Sequence, residues 1–295
     1  MNIEHLLENK RVLFSMEVFP PKKTGSIETV YSSIYGLRSL TPDFISVTYG
    51  AGGSTTQRDK TVEIASLIKK EYGIESVSHL TCIGATKEEI RQRLDDLKKN
   101  YVMNILALRG DKSPEGATGT DFKHASDLAA FVHESEPDFH IMGACYPEKH
   151  QDAESLDEDI KNLRYKVDAG VSHLISQLFF DNEKFYTFMD KLTAAGIDVP
   201  VEAGIMPVTN RAQIERMVSM CGATIPEKLQ KLLDRFGDDD AAMRQAGIEY
   251  AIGQILDLLA NGVRGIHLYS MNQVETTKQI TEAVEPLIKH INSKS

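Results

Sequence analysis

Glu17 interrupts the apolar run FSMEVFPP, and a carboxyl in such a run has few uses. Facing a protein interior, it costs several kcal/mol if it stays charged and unpaired. A group so placed tends to keep its proton near neutrality, which suits a general acid. The same position also fits a strand-end glutamate paired with a lysine such as Lys22. Asp111 closes ALRGD, where Gly110 lets backbone approach a ligand and Arg109 supplies a fixed cation; an ordinary loop ion pair would look the same. Gln177 stands in LISQLFFD, where a buried amide must satisfy both donor and acceptor. It could hydrogen-bond neighbouring backbone or meet the paired donor and acceptor edge of a heterocyclic ring. His79 ends an apolar run with no second His or Cys at metal spacing, so a satisfied core histidine fits better than a metal ligand. GAGGS, from Gly50 to Ser54, could bring backbone N–H groups to a phosphate or simply turn the chain. It lacks the GKS/T ending of a P-loop.

Elements must bring these residues together, and the chain supplies eight short apolar runs for the purpose. They are Val12 to Phe19, Asp43 to Tyr49, Ser76 to Cys82, Asn104 to Gly110, His140 to Tyr146, His173 to Phe179, Pro200 to Met206 and Gly265 to Ser270. Between them lie segments such as TKEEIRQRLDDLKKN, whose apolar residues recur three and four apart, as on one face of a helix. Thr86 followed by Glu89 has the spacing of a capping box. Alternation of this kind builds a parallel sheet from βα units. Eight units, with no GxGxxG after the first run, predict a closed (β/α)8 TIM barrel in one domain over residues 1–295. The last gap is the longest, and IPEKLQKLLDRFG predicts an extra helix inserted between strands 7 and 8. Active sites of such barrels lie at the C-terminal strand ends, which here carry Glu17, Thr48, His79, Arg109 with Asp111, Tyr146 and Gln177.

Composition narrows the partners. A formal net charge of -10 argues against nucleic acid, which needs clustered Lys and Arg to replace counterions. Cys82, Cys145 and Cys221 are odd in number and far apart, which suggests neither a disulfide framework nor a CxxC metal site, and a reducing cytoplasm fits them. MNIEHLLENKRV has no signal-peptide core, and no long uncharged apolar stretch suggests a membrane span.

SMEVFPPK, SVTYGAGGS, SHLTCIGAT, LALRGD, ACYPEKH, KVDAGVSHLISQLFFD, GIMPVTN and HLYSMN, in this order and along nearly the whole chain, resemble the bacterial-type methylenetetrahydrofolate reductases. The resemblance implies a (β/α) barrel holding FAD at its C-terminal face, with NADH or NADPH as co-substrate and methylenetetrahydrofolate as substrate. It implies Glu17 as the catalytic acid, Asp111 as a residue near flavin and pterin, and Gln177 as a folate contact, with Arg211 and Tyr269 also on the substrate side. The implied FAD set is Thr48, His79, Arg109, Gly110, Asp111, Ala144, Tyr146, His150, Asp159, Asn162 and Lys166. Arg109 and Lys166 could offset pyrophosphate charge, and Tyr146 could offer a ring surface. Arg211 stands where relatives often carry a stacking phenylalanine, and Tyr165 where a basic residue is common. The family also implies a ping-pong reaction feeding methionine synthesis, NADH as the favoured donor, dimers or tetramers of the chain, and, since the sequence ends at HINSKS, no adenosylmethionine-sensing domain. Other readings are a folate-binding barrel without redox activity and a flavin-free reductase. A lyase or aldolase would want a Schiff-base lysine, and none of the eight runs contains Lys.

Overall fold

The computed structural model describes residues 3–21, 25–49, 55–110 and 121–294. Lys22, Asp111 and the Gly50 to Ser54 loop lie outside the described residues. Eight strands close into a parallel barrel in sequence order: β1 (Leu13–Val18), β2 (Phe44–Val47), β3 (Glu75–Thr81), β4 (Asn104–Leu108), β5 (His140–Cys145), β6 (His173–Ser176), β7 (Val201–Ile205) and β8 (Gly265–Tyr269). The helices among the described residues are α1 (Ile3–Asn9), α2 (Ile27–Arg38), α3 (Thr55–Tyr72), α4 (Lys87–Lys99), α5 (Ala125–Ser135), α6 (Leu156–Asp168), α7 (Asn182–Ala194), α8 (Arg211–Cys221), α9 (Glu227–Phe236), α10 (Asp240–Ala260) and α11 (Val274–Asn292). None of them is long and apolar enough to cross a membrane.

The strands are buried on both faces, which is why they read as apolar runs rather than as strict alternation. Phe14, Met16 and Val18 of β1 pack outward into the core shared with the helices. Leu13 faces inward with Phe44, Val77, Leu106, Met142 and Ile175, and the side chains of Ile3 and Leu6 complete that inner cluster. Helix α1, which the sequence reading did not anticipate, thus stoppers the N-terminal end of the barrel. Ile3, Leu6 and Leu7 form its apolar face by their three- and four-residue spacing.

Local chemistry fixes where the helices start and stop. Thr86 and Glu89 form the expected capping box on α4, each side chain satisfying the other's backbone N–H. Ser155 and Asn210 cap α6 and α8 in the same way, from side-chain oxygen to a free N–H of the first turn. Gly222 ends α8 at φ 72, in the left-handed region open to glycine. The long gap before β8 holds three helices: α9 is the predicted IPEKLQKLLDRFG insertion, flanked by α8 and α10. With the ends of β6 and β7 these helices enclose a smaller apolar cluster of Leu178, Phe180, Met206, Val208, Ile214, Leu229, Leu233 and Met243. Strand β6 stops at Ser176 rather than at the expected Phe179, because Leu178 and Phe180 turn into this cluster.

Candidate active site

Inward positions near the C-terminal strand ends converge on one mouth. Glu17, next to last in β1, is 6% exposed and pairs in register with Ser46 of β2 and Tyr269 of β8. Its Oε2 lies 3.3 Å from His79 Nε2 and 3.8 Å from His267 Nε2. Burial pushes the carboxyl up, but the two imidazoles outweigh it and hold Glu17 at about 2, against an ordinary 4.5. The expectation that Glu17 keeps its proton is therefore corrected: in the open mouth it is a carboxylate. Desolvation alone would raise Glu17; His267 is seven strands later in sequence but adjacent where β8 closes on β1.

Tyr269 ties the mouth together. Its hydroxyl donates to Ser176 O at 2.8 Å, beside Gln177, while its backbone lies against Glu17. Burial, and then the charge of Glu17, raise its phenol well above the usual value, so it stays a hydrogen-bond donor. Gly204 makes room for the ring, since a Cβ there would stand 2.2 Å from Ser176 O and 2.8 Å from Tyr269 Cε2. Gln177 accepts a hydrogen bond from Leu178 N at its own carbonyl oxygen, which leaves its NH2 edge for a ligand. Thr48 follows β2 and donates its N–H to Val18 O, directly past Glu17 on the next strand.

A cavity of about 430 Å³ opens beside the mouth, between the ends of β4 and β5 and helices α5 and α6. Arg109, Ala144, Tyr146, His150, Asp159, Asn162 and Lys166 all line it, and Tyr165, 64% exposed, stands at its rim. The Tyr146 and His150 rings meet edge to face at 4.8 Å, and Lys166 Nζ lies 5.8 Å from the Tyr146 ring centre. Asp159 accepts from His150 N at 2.7 Å, and His150 Nδ1 accepts from Asp152 N at 3.0 Å, so the other ring nitrogen carries the proton. Arg109 reaches Asp152 at 2.8 Å. Lys166 donates to Ala144 O at 2.8 Å, and burial lowers its pKa, so an anion in the cavity would lessen the cost of its charge. Gly110, at φ +86, brings backbone against Thr81, where a Cβ would be only 3.1 Å from its neighbour.

Two polar atoms look for partners here: His79 Nε2 and Arg109 Nε are buried without an aligned hydrogen bond. The 3.3 Å approach of His79 to Glu17 is therefore electrostatic rather than a formed hydrogen bond. Cations, a ring surface and the unpartnered Arg109 Nε around one hollow fit a phosphate-bearing aromatic cofactor.

Arg211 stands apart from this set. Its Nη2 donates to Leu233 O at 2.5 Å and its guanidinium lies against Gly237, so it holds the C-terminal end of α9. A second hollow, of about 610 Å³, lies at the opposite, N-terminal face among Arg38, Asp43, Glu71 and Glu75. It contains none of the predicted site residues. Sequence reasoning missed the inward polar residues beneath Glu17, namely Ser15, Ser46, Glu202 and His267; every second residue of a barrel strand faces inward, and LFSMEV and GIHLY carry that signal.

Comparison with known proteins supplies the chemistry. Residues 2–285 match the family model described as Methylenetetrahydrofolate reductase. The chain is 39% identical to the 5,10-methylenetetrahydrofolate reductase of Escherichia coli (strain K12) over 90% of its length and 88% of the relative's. It is 38% identical to that of Pectobacterium carotovorum subsp. carotovorum, over 92% and 89%. Against Methylenetetrahydrofolate reductase (NADH) 1 of Arabidopsis thaliana it is 35% identical, over 92% of its own length but 48% of the plant protein. Among solved structures, an uncharacterized protein from Clostridium thermocellum that binds two copies of 5-methyl-5,6,7,8-tetrahydrofolic acid superposes with a TM-score of 0.62 at 15% identity, covering 98% of this chain and 99% of the other. At that identity the likeness is one of fold.

Proposed function

This chain belongs to the methylenetetrahydrofolate reductase family, and from that premise we propose that it reduces 5,10-methylenetetrahydrofolate to 5-methyltetrahydrofolate with FAD as cofactor and NADH or NADPH as donor. The observation that carries the reading is a carboxyl, a carboxamide and a phenol gathered at the C-terminal ends of β1, β6 and β8, with a cation-lined cavity at the ends of β4 and β5. When bound, FAD takes hydride from the nicotinamide and returns it to the one-carbon unit, in two half-reactions.

The residues have separable tasks. Arg109 and Lys166 would hold the pyrophosphate, Tyr146 and His150 would offer ring surfaces, and Asp159 with Asn162 would serve hydroxyls or amines of the nucleoside, all of them lining the one cavity. By family position, His79, Thr48, Ala144 and Gly110 would border the ring system. The Gln177 NH2 edge and the Tyr269 hydroxyl orient the pterin. Glu17 protonates the methylene bridge, opening it to an iminium that accepts hydride. For that, its pKa must rise on binding, and a pterin closing over the mouth removes water and strengthens the desolvation already pushing it up. Asp111 is proposed beside the flavin by family position alone. NADH as the preferred donor and a supply of methyl groups for methionine synthesis complete the proposal.

The test is spectroscopic. Purified protein should show flavin absorption, NADH should bleach it anaerobically, and methylenetetrahydrofolate should restore it. A colourless protein, or a flavin that the folate leaves reduced, overturns the reading.

A further inference from the structure

Below Glu17 the barrel interior is polar where a packed apolar core is the rule. Ser15 Oγ lies 2.5 Å from Glu202 Oε2 and 2.6 Å from His267 Nδ1, and all three residues are fully buried. His267 Nε2 in turn lies 3.8 Å from Glu17 Oε2 and 3.4 Å from Ser46 Oγ. These contacts run in file from the middle of the barrel to the mouth, and the one step longer than a hydrogen bond is the 3.8 Å between His267 and Glu17.

We propose that Glu202 is a proton store that supplies Glu17 during each folate reduction, through Ser15 and His267. This rests on Glu17 being the acid of the reaction. The proton count selects the direction. A hydroxyl has one hydrogen, so Ser15 can donate to Glu202 or to His267 but not to both. Facing the Glu17 carboxylate, His267 is best served by a proton on Nε2, which makes Nδ1 the acceptor. Ser15 then donates to His267, and the short contact to Glu202 is left to be donated by Glu202, which must carry a proton. Burial raises Glu202 to about 8 against an ordinary 4.5, and it is opposed only in part by His267 and Ser15. His173 Nε2 is 3.0 Å from Glu202 Oε1, but burial lowers His173 to about 3, so two neutral groups face each other rather than an ion pair.

The transfer balances. With folate bound and His267 and Glu17 closed to hydrogen-bond distance, the Nε2 proton of His267 moves to Glu17 Oε2 and on to the substrate nitrogen, the Ser15 hydroxyl proton to His267 Nδ1, and the Glu202 proton to Ser15 Oγ. The net change is a protonated substrate nitrogen and an ionised Glu202, with Glu17 a carboxylate again. No other bond forms or breaks. Glu17 holds the proton only in passing, so the endpoints that set the driving force are Glu202 and the substrate nitrogen. Refilling comes from the far end, where His173 Nδ1 lies 3.4 Å from His140 Nε2 and His140 is 6% exposed at the start of β5; it requires His173 Nε2 and Glu202 Oε1, close but not aligned as a hydrogen bond, to turn toward each other. The groups facing Glu202 are Ser15 of β1, His173 of β6 and His267 of β8, with Asp43 ahead of β2 adding a weaker upward push. Those facing Glu17 are His79 of β3 and His267 with Tyr269 of β8.

The experiment compares holoenzyme with Glu202→Gln and Ser15→Ala. Gln keeps a donor toward Ser15 and has no proton to release; Ala cuts the file and leaves both carboxyls in place. Rapid mixing should show NADH reduction of the flavin unchanged in both variants, with folate-driven reoxidation slower by roughly tenfold. In wild type that second rate should fall as pH rises through about 8, and in Glu202→Gln it should be flat there. Infrared spectra of wild type at neutral pH should hold a carboxylic acid C=O band that titrates in the same window and is missing from Glu202→Gln. Wild-type reoxidation rates in either folded variant, or no such band in wild type, overturn the store alone. A wild type whose reduced flavin ignores the folate takes down the store together with the assignment beneath it.

Discussion

Glu17 owes its ionisation to two imidazoles drawn from β3 and β8, so its removal tests chemistry more than packing. Glu17→Gln should slow folate-driven reoxidation by about a hundredfold or more, the contribution of a positioned acid, and leave flavin reduction by NADH intact. Stopped-flow traces of the two half-reactions decide it; equal losses in both would remove Glu17 from the acid role. Gly204→Ala puts a methyl against Ser176 O and the Tyr269 ring. It should raise the KM for folate and lower stability by about 1–3 kcal/mol, read from kinetics and a denaturant melt. At this scale the sequence was legible wherever a polar residue broke an apolar run at a strand end, as at Glu17 and Gln177. His267 and Glu202 were not legible, because their meaning lies in which strands face each other across the barrel, and a run of apolar letters does not contain that.

Elements were easier to read than their boundaries. Each of the eight apolar runs became a strand because a parallel strand covered on both faces needs little else, and Thr86 with Glu89 set the start of α4 as their spacing predicted. Helix α1 escaped notice because seven residues give a short apolar face, and its partner is the inside of a barrel rather than a neighbouring helix. The α8 to α10 segment depends on two contacts that can be broken singly. Gly247 of α10 lies so near the chain after β7 that a Cβ would stand 1.7 Å from Val208 O. Gly247→Ala should therefore force the helix outward and cost about 1–3 kcal/mol in a urea melt. Arg211→Ala should cost less, about 1 kcal/mol, through the lost donor to Leu233 O. If Arg211→Ala alters folate KM and leaves the melt untouched, Arg211 belongs to the substrate and not to α9.

For the molecule as a whole, buried ionisable groups set the pH range of stability. Burial holds His140 and His173 at about 3 against an ordinary 6.5, and the two imidazoles hold Glu17 near 2 against 4.5. Each is depressed in the fold, so what it adds is complete above the ordinary value and lost as pH falls toward the folded one. Glu202 is raised, so its contribution is complete below 4.5 and is lost as pH rises through about 8. Melting temperature should fall on both sides of neutrality, and Glu202→Gln should flatten only the alkaline arm; calorimetry across the range checks both. The small cluster under α8 and α9 shares no buried residue with the main core around the barrel. Two cores without common members can loosen separately, so amide hydrogens of α8 and α9 should exchange through a partial opening that leaves the strands protected. Tyr269 packs partly against that detachable piece, so its loosening would reach the barrel mouth while the frame beneath keeps its shape.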